Sequence, residues 1–446
     1  MIYSEAVRYL LSLIGDIRTA NFGLDRMTRL LTLLGDPQQT FKGIHIAGTN
    51  GKGSTAALIE SGLWAAGRSV GLYTSPHLVR FNERIRVNAI EISDGDFVCA
   101  LEEVSAANER IVAEYGSTEH PTFFESITAT AFTAFRNASV EWAVVEVGLG
   151  GRLDATNVLI GAVGVVTPID FDHEQFLGKD IVSIAAEKAG IFKSGMQLVV
   201  APQSPEVMAT LEKRAAQLDV SMVRVGVDWI AEDIADERGC YRFRASRAEV
   251  LQSGGEELPV NAPSTIKASL SLPGQHQVTN ALTAIAVLDL VGVEGEAIAR
   301  GLSKTSWPGR LERIAGTPEI LLDAAHNPAG ALTLARFLER HETKRRIHLI
   351  YGSVRDKAVD EVAGILFPQA DRVILTCSQV ARSTRPQTLM ALVDHHHSAI
   401  SVSPNLTEAL KEARNGASPE DLIVVAGSIF LVGEASQVAQ AESLAL

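Results

Sequence analysis

The sequence predicts an α/β protein of two domains, and three observations support this prediction. Short apolar segments typical of buried strands alternate with helical segments in the first part of the chain. The same alternation begins again near residue 297, and 446 residues are too many for one ordinary hydrophobic core. Chains that alternate in this way fold into mostly parallel, doubly wound sheets. We therefore expect a first domain of residues 1–295 and a second of 296–446, joined near Val291–Glu296.

The first forty residues are predicted to be amphipathic helix, because Val7, Leu10, Leu11 and Ile14 recur at helical spacing. The later elements of this domain follow from apolar runs and their periodicity: strands at 43–47, 69–73, 142–146 and 163–167, and helices at 54–66, 96–114, 125–136 and 276–290. Between 218 and 272, charged residues, paired glycines and short alternating runs indicate a small β-rich subregion.

The second domain repeats the alternation on a smaller scale. The predicted elements are strands at 319–322, 346–351, 371–375 and 422–426, with helices that include 330–340 and 406–414. This pattern indicates a Rossmann-like α/β domain.

Composition limits the classes of partner. The formal net charge is −13, and an acidic protein repels polyphosphate, which argues against nucleic acid. Cys99, Cys240 and Cys377 are far apart and form no pair motif, which is typical of a reducing cytoplasm. No uncharged apolar run reaches the about 18–20 residues of a membrane span, and charges interrupt the N-terminal apolar residues of a would-be signal peptide. We expect a cytoplasmic monomer that acts on small molecules.

A glycine-rich loop, Gly48–Ser54, connects a predicted strand to a predicted helix. Glycines let the backbone turn its N–H groups toward phosphate oxygens, Lys52 can reach the terminal phosphates, and Ser54 can ligate Mg²⁺. The spacing departs from the standard phosphate-binding pattern, because Ile46 replaces its first glycine and Gly53 separates Lys52 from Ser54. The position between strand and helix nevertheless favours nucleotide binding over an ordinary glycine-rich turn.

Charged residues follow two further strands of the first domain. Glu146 ends an apolar strand and precedes a glycine-rich turn, where P-loop enzymes hold Mg²⁺ with a carboxylate, although such an acid alone is more often a cap. His173 follows the next strand, and Lys188 comes shortly after it. A single histidine or lysine is more often structural or solvated. His173 and Lys188 are candidate site residues only because Glu146 and the glycine-rich loop are expected at the same end of the sheet.

Two segments of the second domain also contain candidate residues. Asp323 ends its first strand and His326 follows, but Asn327 and Pro328 are typical helix-start residues, so capping explains part of this segment. A histidine at a helix start suits an anionic group, and a structural role fits equally well. The tract His395–His397 is predicted to be a solvated helix end or loop rather than a metal site, because no carboxylate or cysteine pairs with it.

Together these segments resemble the folylpolyglutamate synthase/dihydrofolate synthase family, a branch of the Mur ligase superfamily. The resemblance rests on GTNGKGS at 48–54, YTSPHL at 73–78, FNERI at 81–85, EVGLGGRLDATN at 146–157, AEKAGI at 186–191, PGQHQVTNA at 273–281, PGRLE at 308–312 and DAAHNP at 323–328. It spans nearly the whole chain. It implies a P-loop-containing, Mur-ligase-like ATPase domain and a C-terminal glutamate-ligase domain, and it accounts for the missing first glycine, since the family has a loop of this form.

The resemblance also implies a role for individual residues. Lys52, Lys188, His173 and His326 would take part in catalysis. The ATP-binding residues would be Thr49, Asn50, Gly51, Lys52, Gly53, Ser54, Asn280, Arg310 and Asp323. One Mg²⁺ would be held by Ser75 and Glu146, and a second by His173 and Lys188, the latter carbamoylated on its side-chain nitrogen. The pterin substrate would lie against Ala20–Gly23, Thr122, Phe123, Phe124, Glu125, Leu153, Asp154 and Ala155, and the incoming glutamate would lie near His326 and Ser428.

The activity implied by the resemblance is amide-bond formation driven by ATP. ATP phosphorylates a carboxylate to an acyl phosphate, and the amine of glutamate then displaces phosphate. We predict that both family reactions occur, in which glutamate is added to dihydropteroate and to the γ-carboxylate of a folate. The alternatives are a monofunctional folylpolyglutamate synthase and, more remotely, a peptidoglycan Mur ligase. A nucleotide-dependent switch is disfavoured, because the sequence has no NKxD-type base-recognition motif.

Overall fold

The computed structural model describes residues 1–15, 23–172, 177–178, 180–248, 265–355 and 357–443. The chain divides into two units. The first consists of Met1–Ile234, Arg242–Leu270 and Val278–Thr305, and the second of Ala235–Tyr241, Ser271–Gln277 and Ser306–Leu446. Both units combine a largely parallel sheet with helices, which confirms the predicted α/β class. Within the described residues, none of the helices combines the length and the apolar composition that crossing a membrane requires.

The first unit is built on a sheet of eight strands in the order β4-β3-β2-β5-β1-β6-β7-β8. Its strands are β1 (Lys42–Ala47), β2 (Val70–Tyr73), β3 (Ile85–Val87), β4 (Ile90–Glu91), β5 (Trp142–Glu146), β6 (Gly161–Val166), β7 (Gln197–Val200) and β8 (Met222–Arg224). The β2–β3 and β3–β4 pairs at one edge are antiparallel, and the other five pairs are parallel. Strand order reverses beside β1, and open α/β sheets bind ligands at such a reversal, outside the carboxyl ends of the strands.

The helices of the first unit are α1 (Tyr3–Ser12), α2 (Asp25–Leu33), α3 (Lys52–Ala65), α4 (Asp94–Tyr115), α5 (Phe123–Asn137), α6 (Ile181–Ala189), α7 (Pro205–Leu218), most of α8 (His276–Leu290) and α9 (Gly295–Lys304). The prediction of one helical stretch over the first forty residues is wrong, because α1 and α2 are separate helices. In α1, Ala6 and Leu10 are buried, whereas Leu11 is 47% exposed and Ile14, beyond the helix, is 57% exposed. An apolar spacing that fits a helix does not by itself say which of its residues face the core.

The first unit extends to Thr305, ten residues beyond the predicted boundary at 295/296. Helix α9 packs on α3 through two glycines, since a Cβ at Gly301 would lie 2.6 Å from the Cα of Gly62. The predicted linker is therefore a turn between two helices, α8 and α9. Its glycine and valine residues look like a linker in sequence, and the close packing that follows is visible only in the structure.

A separate three-stranded sheet, in the order β11-β10-β9, corresponds to the predicted β-rich subregion. It consists of β9 (Trp229–Glu237), β10 (Cys240–Arg247) and β11 (Thr265–Ser269), and residues 249–264 lie outside the described part of the chain. Alternate residues of β10 are buried, as expected of a strand with one face on a core.

The second unit has a six-stranded sheet in the order β12-β13-β17-β14-β15-β16. Its strands are β12 (Glu312–Ile314), β13 (Glu319–Leu322), β14 (Ile347–Tyr351), β15 (Arg372–Leu375), β16 (Ile400–Val402) and β17 (Leu422–Ala426). Its helices are α10 (Pro328–His341), α11 (Val359–Leu366), α12 (Pro386–Val393), α13 (Leu406–Gly416) and α14 (Ile429–Ser443). Only β12 runs antiparallel, which agrees with the predicted Rossmann-like arrangement.

Candidate active site

The loop after β1 lies at the carboxyl end of a central strand of the first sheet. Gly48 has a φ of +147°, and a Cβ there would lie 1.9 Å from the Oγ1 of Thr167. Gly51 has a φ of +85°, and a Cβ there would lie 2.4 Å from the Oδ1 of Asn280. Both positions therefore require glycine. The second contact places Asn280 directly against the loop, as predicted for a residue of the same site.

Helix α3 begins inside this loop, at Lys52, and Ser54 is buried in its first turn. The N–H groups in the first turn of a helix have no partner within the helix and carry its positive dipole end, so they suit phosphate. The N–H groups of Thr49 and Asn50 instead donate to the carbonyl of Pro168, at 3.0 and 3.2 Å. The backbone N–H groups of the loop that remain suited to a phosphate are therefore those from Gly51 onward.

Two lysine side chains converge on the carbonyl oxygen of Gly48. The Nζ of Lys52 donates to this oxygen at 3.1 Å, and the Nζ of Lys188 donates to it at 2.8 Å. Lys188 is only 5% exposed, and its burial, with the positive charge of Lys52, lowers its pKa to about 7. The negative charge of Asp172 opposes this shift. The loop therefore has one ammonium group beside it and a second amine that releases its proton near neutral pH.

Glu146 ends β5, the strand that lies between β2 and β1. It is buried, and its Oε2 accepts a hydrogen bond from the N–H of Ser75, which follows β2, at 3.1 Å. Because β2, β5 and β1 are parallel neighbours, Ser75, Glu146 and the loop lie at the same edge of the sheet. A carboxylate and a hydroxyl at this edge are the oxygen donors that a hard cation such as Mg²⁺ prefers.

The glycine-rich turn after β5 packs on the end of α6, which contains Lys188. The N–H of Arg152 donates to the carbonyl of Glu187 at 2.9 Å. A Cβ at Gly151 would lie 2.8 Å from that carbonyl, and a Cβ at Gly190 would lie 2.6 Å from the Cα of Arg152. These backbone contacts fix the position of Lys188 relative to the turn that follows Glu146.

The side chain of Asp154 holds the same turn together by accepting hydrogen bonds from its backbone. One carboxylate oxygen accepts from the N–H groups of Gly148 and Leu149, at 3.1 and 2.9 Å, and the other accepts from the N–H and the hydroxyl of Thr156. Burial raises the pKa of Asp154, while these hydrogen bonds favour the ionised form. The resemblance implied contact with substrate, and the structure adds an organising role, because both oxygens already hold the turn.

The start of α5 lies against this turn. Thr122 caps the helix, and its N–H donates to the Oε2 of Glu125 at 2.7 Å. Glu125 also pairs with Arg26 at 3.2 Å, so its carboxylate serves the local structure. The ring of Phe124 fits over Gly148, where a Cβ would lie 2.2 Å from the ring. The predicted pterin contacts at 122–125 and 153–155 are thus neighbours across this turn.

One buried cation near this region was not selected from the sequence. Arg84 is 7% exposed, its Nε donates to the Nδ1 of His77 at 2.8 Å, and its guanidinium lies over the rings of Phe81 and Phe123. Burial lowers the pKa of both Arg84 and His77, the latter to about 3. The available sequence signal was its position in the segment FNERI, directly before the short strand β3.

In the second unit, Asp323 follows β13 and anchors the segment that contains Arg310. Its buried carboxylate accepts from the N–H groups of Leu311 and Ala325, at 2.9 Å each. Burial raises the pKa of Asp323, and the charge of Arg310 opposes the shift. The two predicted nucleotide contacts in this unit are therefore electrostatically coupled.

His326 and Ser428 follow two adjacent parallel strands, β13 and β17. The N–H of Gly427 donates to the carbonyl of Ala325 at 2.9 Å, which joins the two segments. The Nδ1 of His326 lies 2.8 Å from the carbonyl of Ala324 and donates to it. The buried Oγ of Ser428 has no hydrogen-bond partner among the described residues. Because an unpaired buried hydroxyl is costly, this oxygen is a candidate ligand-binding atom.

Some predicted residues cannot be placed. His173 lies outside the described residues, as do residues 20–22 of the predicted pterin segment, of which only Gly23 is described. Asn327 caps α10 by accepting from the N–H of Gly330 at 2.8 Å, so the helix-start prediction is confirmed.

The histidine tract is a solvated turn, as predicted, but it does have a carboxylate partner. Asp394–His396 is a short 3₁₀ helix, and His395 is 59% exposed. The Oδ1 of Asp360 lies 2.8 Å from the Nε2 of His396 and 3.3 Å from the Nε2 of His395. The argument that no acid pairs with the tract is therefore wrong, because the acid comes from a different helix, α11.

Two known protein families match most of the chain. The family described as Mur ligase middle domain matches residues 46–288, and the family described as Mur ligase, glutamate ligase domain matches residues 309–429. The two matches lie on either side of Thr305, where the first unit ends.

Three curated relatives align over nearly all of the chain. The dihydrofolate synthase/folylpolyglutamate synthase of Bacillus subtilis is 32% identical over 428 residues, which cover 92% of this chain and 94% of the relative. The folylpolyglutamate synthase of Lacticaseibacillus casei is 35% identical over 98% of both chains. A probable bifunctional folylpolyglutamate synthase/dihydropteroate synthase of Haloferax volcanii is 33% identical over 98% of this chain, which spans about half of that longer relative (50%).

Solved structures agree with these sequence matches. Folylpolyglutamate synthase of Mycobacterium tuberculosis, complexed with ADP and AMPPCP, superposes with a TM-score of 0.88 at 31% identity, over 98% of this chain and 99% of that chain. The bifunctional enzyme of Yersinia pestis, complexed with AMPPNP and a Mn ion, superposes with a TM-score of 0.82 at 28% identity, over 99% and 98%. With the phosphate loop, the strand-end acid and the paired lysines at one sheet edge, these matches show that the chain belongs to the folylpolyglutamate synthase/dihydrofolate synthase family of Mur ligases.

Proposed function

We propose that this protein is an ATP-dependent ligase that adds L-glutamate both to dihydropteroate and to the γ-carboxylate of folates. One observation carries the proposal: Lys52 and Lys188 meet at the carbonyl of Gly48, beside a helix start and at the same sheet edge as Glu146. A site that holds ATP next to a substrate carboxylate must neutralise the negative charge of both the phosphates and the carboxylate. The two lysines and the helix start are suited to do so.

The first chemical step transfers the γ-phosphoryl group of ATP to a substrate carboxylate oxygen. The P–O bond to ADP breaks, a new P–O bond forms, and the products are ADP and an acyl phosphate. Two anions approach each other in this step, so Lys52 and the N–H groups of Gly51–Ser54 stabilise the charge on the phosphoryl oxygens. Asn280 lies against Gly51 and is assigned to the nucleotide.

The oxygen donors at this edge fit Mg²⁺, with Ser75 and Glu146 as the proposed ligands of one ion. Bound there, Mg²⁺ supplies charge neutralisation between nucleotide and acceptor. His173 and Lys188 are the proposed ligands of a second ion. For Lys188 this role requires carbamoylation, which converts an amine nitrogen into an oxygen ligand. A buried amine with a pKa of about 7 has a large neutral fraction at neutral pH, and the neutral amine is the form that reacts with CO₂.

In the second step the α-amine of glutamate attacks the acyl carbon, inorganic phosphate leaves, and an amide forms. We assign the glutamate to the region of His326 and Ser428, because the buried hydroxyl of Ser428 lacks a partner within the described residues. The pterin is assigned to the turn lined by Phe124, Leu153 and Ala155, with Asp154 and Thr122–Glu125 holding its shape. The substrates are small molecules, and we propose a cytoplasmic monomer without a nucleic-acid or membrane partner.

Two assays with the purified chain separate the bifunctional enzyme from a monofunctional folylpolyglutamate synthase. The first supplies dihydropteroate, glutamate and ATP, and the second replaces dihydropteroate with tetrahydrofolate. We expect ADP release and a new glutamyl amide in both. Product from tetrahydrofolate alone would remove the dihydrofolate synthase half, as in the relative named only folylpolyglutamate synthase. ATP binding without any amide product would overturn the ligase assignment.

The contact between the turn after β5 and the end of α6 gives a further prediction. Gly190→Ala should destabilise the fold by about 1–3 kcal/mol and lower turnover, because its Cβ would meet the Cα of Arg152 at 2.6 Å and overpack this contact. Steady-state ADP release measures this effect. The matched control is Gly95→Ala in the first turn of α4, where the nearest atom to a new Cβ is 3.8 Å away. Equal activity of the two variants would show that this contact does not position Lys188.

A further inference from the structure

We infer that Asp360, His395 and His396 form a binding site for a divalent transition-metal ion of the Zn²⁺ class, separate from the proposed Mg²⁺ ligands. Among the described residues, this is the group of His, Cys, Asp and Glu side chains whose ligand atoms converge, with one atom from each residue within 4.8 Å of the others. The amide-forming reaction gives none of these three residues a role.

The donor atoms already have nearly the spacing that such an ion requires. Ligands at about 2.0–2.1 Å from a tetrahedral Zn²⁺ are separated from each other by about 3.3 Å. The Nε2 of His395 lies 3.3 Å from the Oδ1 of Asp360, and the Nε2 of His396 lies 2.8 Å from the same oxygen. Of these two contacts to the carboxylate, only the closer one must open by a fraction of an ångström, and the ligand atoms of all three residues lie within 4.8 Å of one another.

The backbone on both sides of the site explains why the side chains converge. Asp360 lies in the first turn of α11, and Gly364 lies one turn later on the same helix face. The ring of His396 rests over Gly364, where a Cβ would lie 3.2 Å from its Cε1. The ring of His395 stacks on that of His396 with centroids 3.9 Å apart. The glycine thus makes room for one imidazole, and the short 3₁₀ helix places the second above it.

The ligand set selects the class of ion. Two imidazoles with one carboxylate suit Zn²⁺, Ni²⁺ or Cu²⁺, whereas Mg²⁺ prefers oxygen ligands only. Without an ion, the Nε2 of His396 donates its hydrogen to the carboxylate, and the Nε2 of His395 lies 3.3 Å from the same oxygen. On binding, each ring takes the tautomer with hydrogen on Nδ1, so that the Nε2 lone pair faces the ion. For His395, the Oδ1 of Asp394 lies 3.8 Å from Nδ1, so it would have to move into hydrogen-bond distance to hold this tautomer.

The site would be open, since Asp360 is 65% exposed and His396 is 21% exposed. Three protein ligands leave a fourth position for water or for a ligand atom from another molecule. An ion here would tie the start of α11 to the segment after α12 and would stabilise the folded second unit by mass action.

Zn²⁺ binding to the full-length chain, purified without a polyhistidine tag, tests the inference. Equilibrium dialysis is carried out with excess Mg²⁺ and ADP, so that the nucleotide site is occupied, and compares the wild type with the double variant His395→Gln/His396→Gln and with Asp360→Asn. We expect one more tightly bound Zn²⁺ per chain in the wild type than in the double variant, and at least tenfold weaker binding in Asp360→Asn. Because the three side chains are on the surface, amide formation with Mg²⁺ alone should be unchanged in both variants.

The matched control comes from the same tract. His397 points elsewhere, with its Nε2 3.0 Å from the carbonyl of Ala370, so His397→Gln should keep wild-type Zn²⁺ binding. Equal Zn²⁺ stoichiometry and affinity in the wild type and the double variant would overturn the proposal. An equal loss in His397→Gln would do the same, because it would show that a histidine-rich surface, and not this geometry, holds the ion.

Discussion

Replacing Lys52 with alanine should lower the rate of amide formation by about 10²–10³-fold or more, because the variant loses the ammonium group nearest the proposed phosphate site. The Nζ of Lys52 is held by two loop carbonyls, Gly48 and Thr49, at 3.1 Å each, so in the folded protein it is already placed at the loop. ADP release in the presence of saturating glutamate and pterin substrate measures the effect.

The control for this variant is Lys213→Ala, which removes an exposed lysine from α7 and should leave the rate unchanged. Thermal unfolding of both variants shows whether a loss of activity comes from the missing charge or from a destabilised fold. A Lys52→Ala enzyme with near-normal turnover and a normal melting temperature would remove Lys52 from the mechanism.

Replacing Lys188 with alanine should be similarly severe, with a loss of about 10²–10³-fold. In this case the variant loses a proposed metal ligand instead of a phosphate contact. If the carbamoyl group supplies the ligand oxygen, small carboxylates or bicarbonate should restore part of the activity of Lys188→Ala, since they fit the space and offer the same donor atoms. The matched control is Lys304→Ala, which removes an exposed lysine from the last turn of α9.

Mass spectrometry of the active wild-type enzyme completes this test. We expect the peptide that contains Lys188 to have the additional mass of a carbamoyl group when it is prepared with bicarbonate at mild pH. An unmodified Lys188 in fully active enzyme would contradict carbamoylation. Failure of every small carboxylate to rescue the variant would argue against an oxygen ligand at this position.

Much of the sheet framework was accessible from the sequence. Strands at 142–146, 319–322 and 422–426 were predicted with the bounds that the structure has, because each is a short apolar run between turn-forming residues. The loop at 48–54 was identified for a related reason, since strand, glycines and helix follow one another directly. Such features are local in sequence and need no knowledge of tertiary packing.

The remaining features depend on contacts between distant segments. The first contact-based unit ends at Thr305, after the predicted boundary at 295/296, and Gly301 in this segment packs against Gly62, more than two hundred residues away. The acid that pairs with the histidine tract was missed because Asp360 lies on another helix. Spacing along the chain contains no information on such pairs.

The roles of individual side chains were only partly accessible for the same reason. A family motif marks Asp154 as a site residue, but only the structure shows that both of its oxygens bind the turn. Ser428 looks like any serine after a strand, and its unpaired buried hydroxyl is visible only once the surrounding atoms are known. Arg84 directly follows Glu83 in the sequence, but only the fold shows that its guanidinium lies over the rings of Phe81 and Phe123.

The carbonyl of Gly48 has a consequence for how nucleotide binding and the proposed carbamoylation of Lys188 would influence each other. The side-chain amines of Lys52 and Lys188 both donate to this carbonyl oxygen. The repulsion between their positive charges favours the neutral amine of Lys188. A carbamoyl group on Lys188 is anionic, so it replaces repulsion of Lys52 with attraction. Coupling between two binding equilibria is reciprocal. If carbamoylation changes the affinity for ATP by some factor, ATP changes the equilibrium constant for carbamoylation by the same factor. The extent of carbamoylation should therefore vary with the concentration of ATP as well as that of bicarbonate.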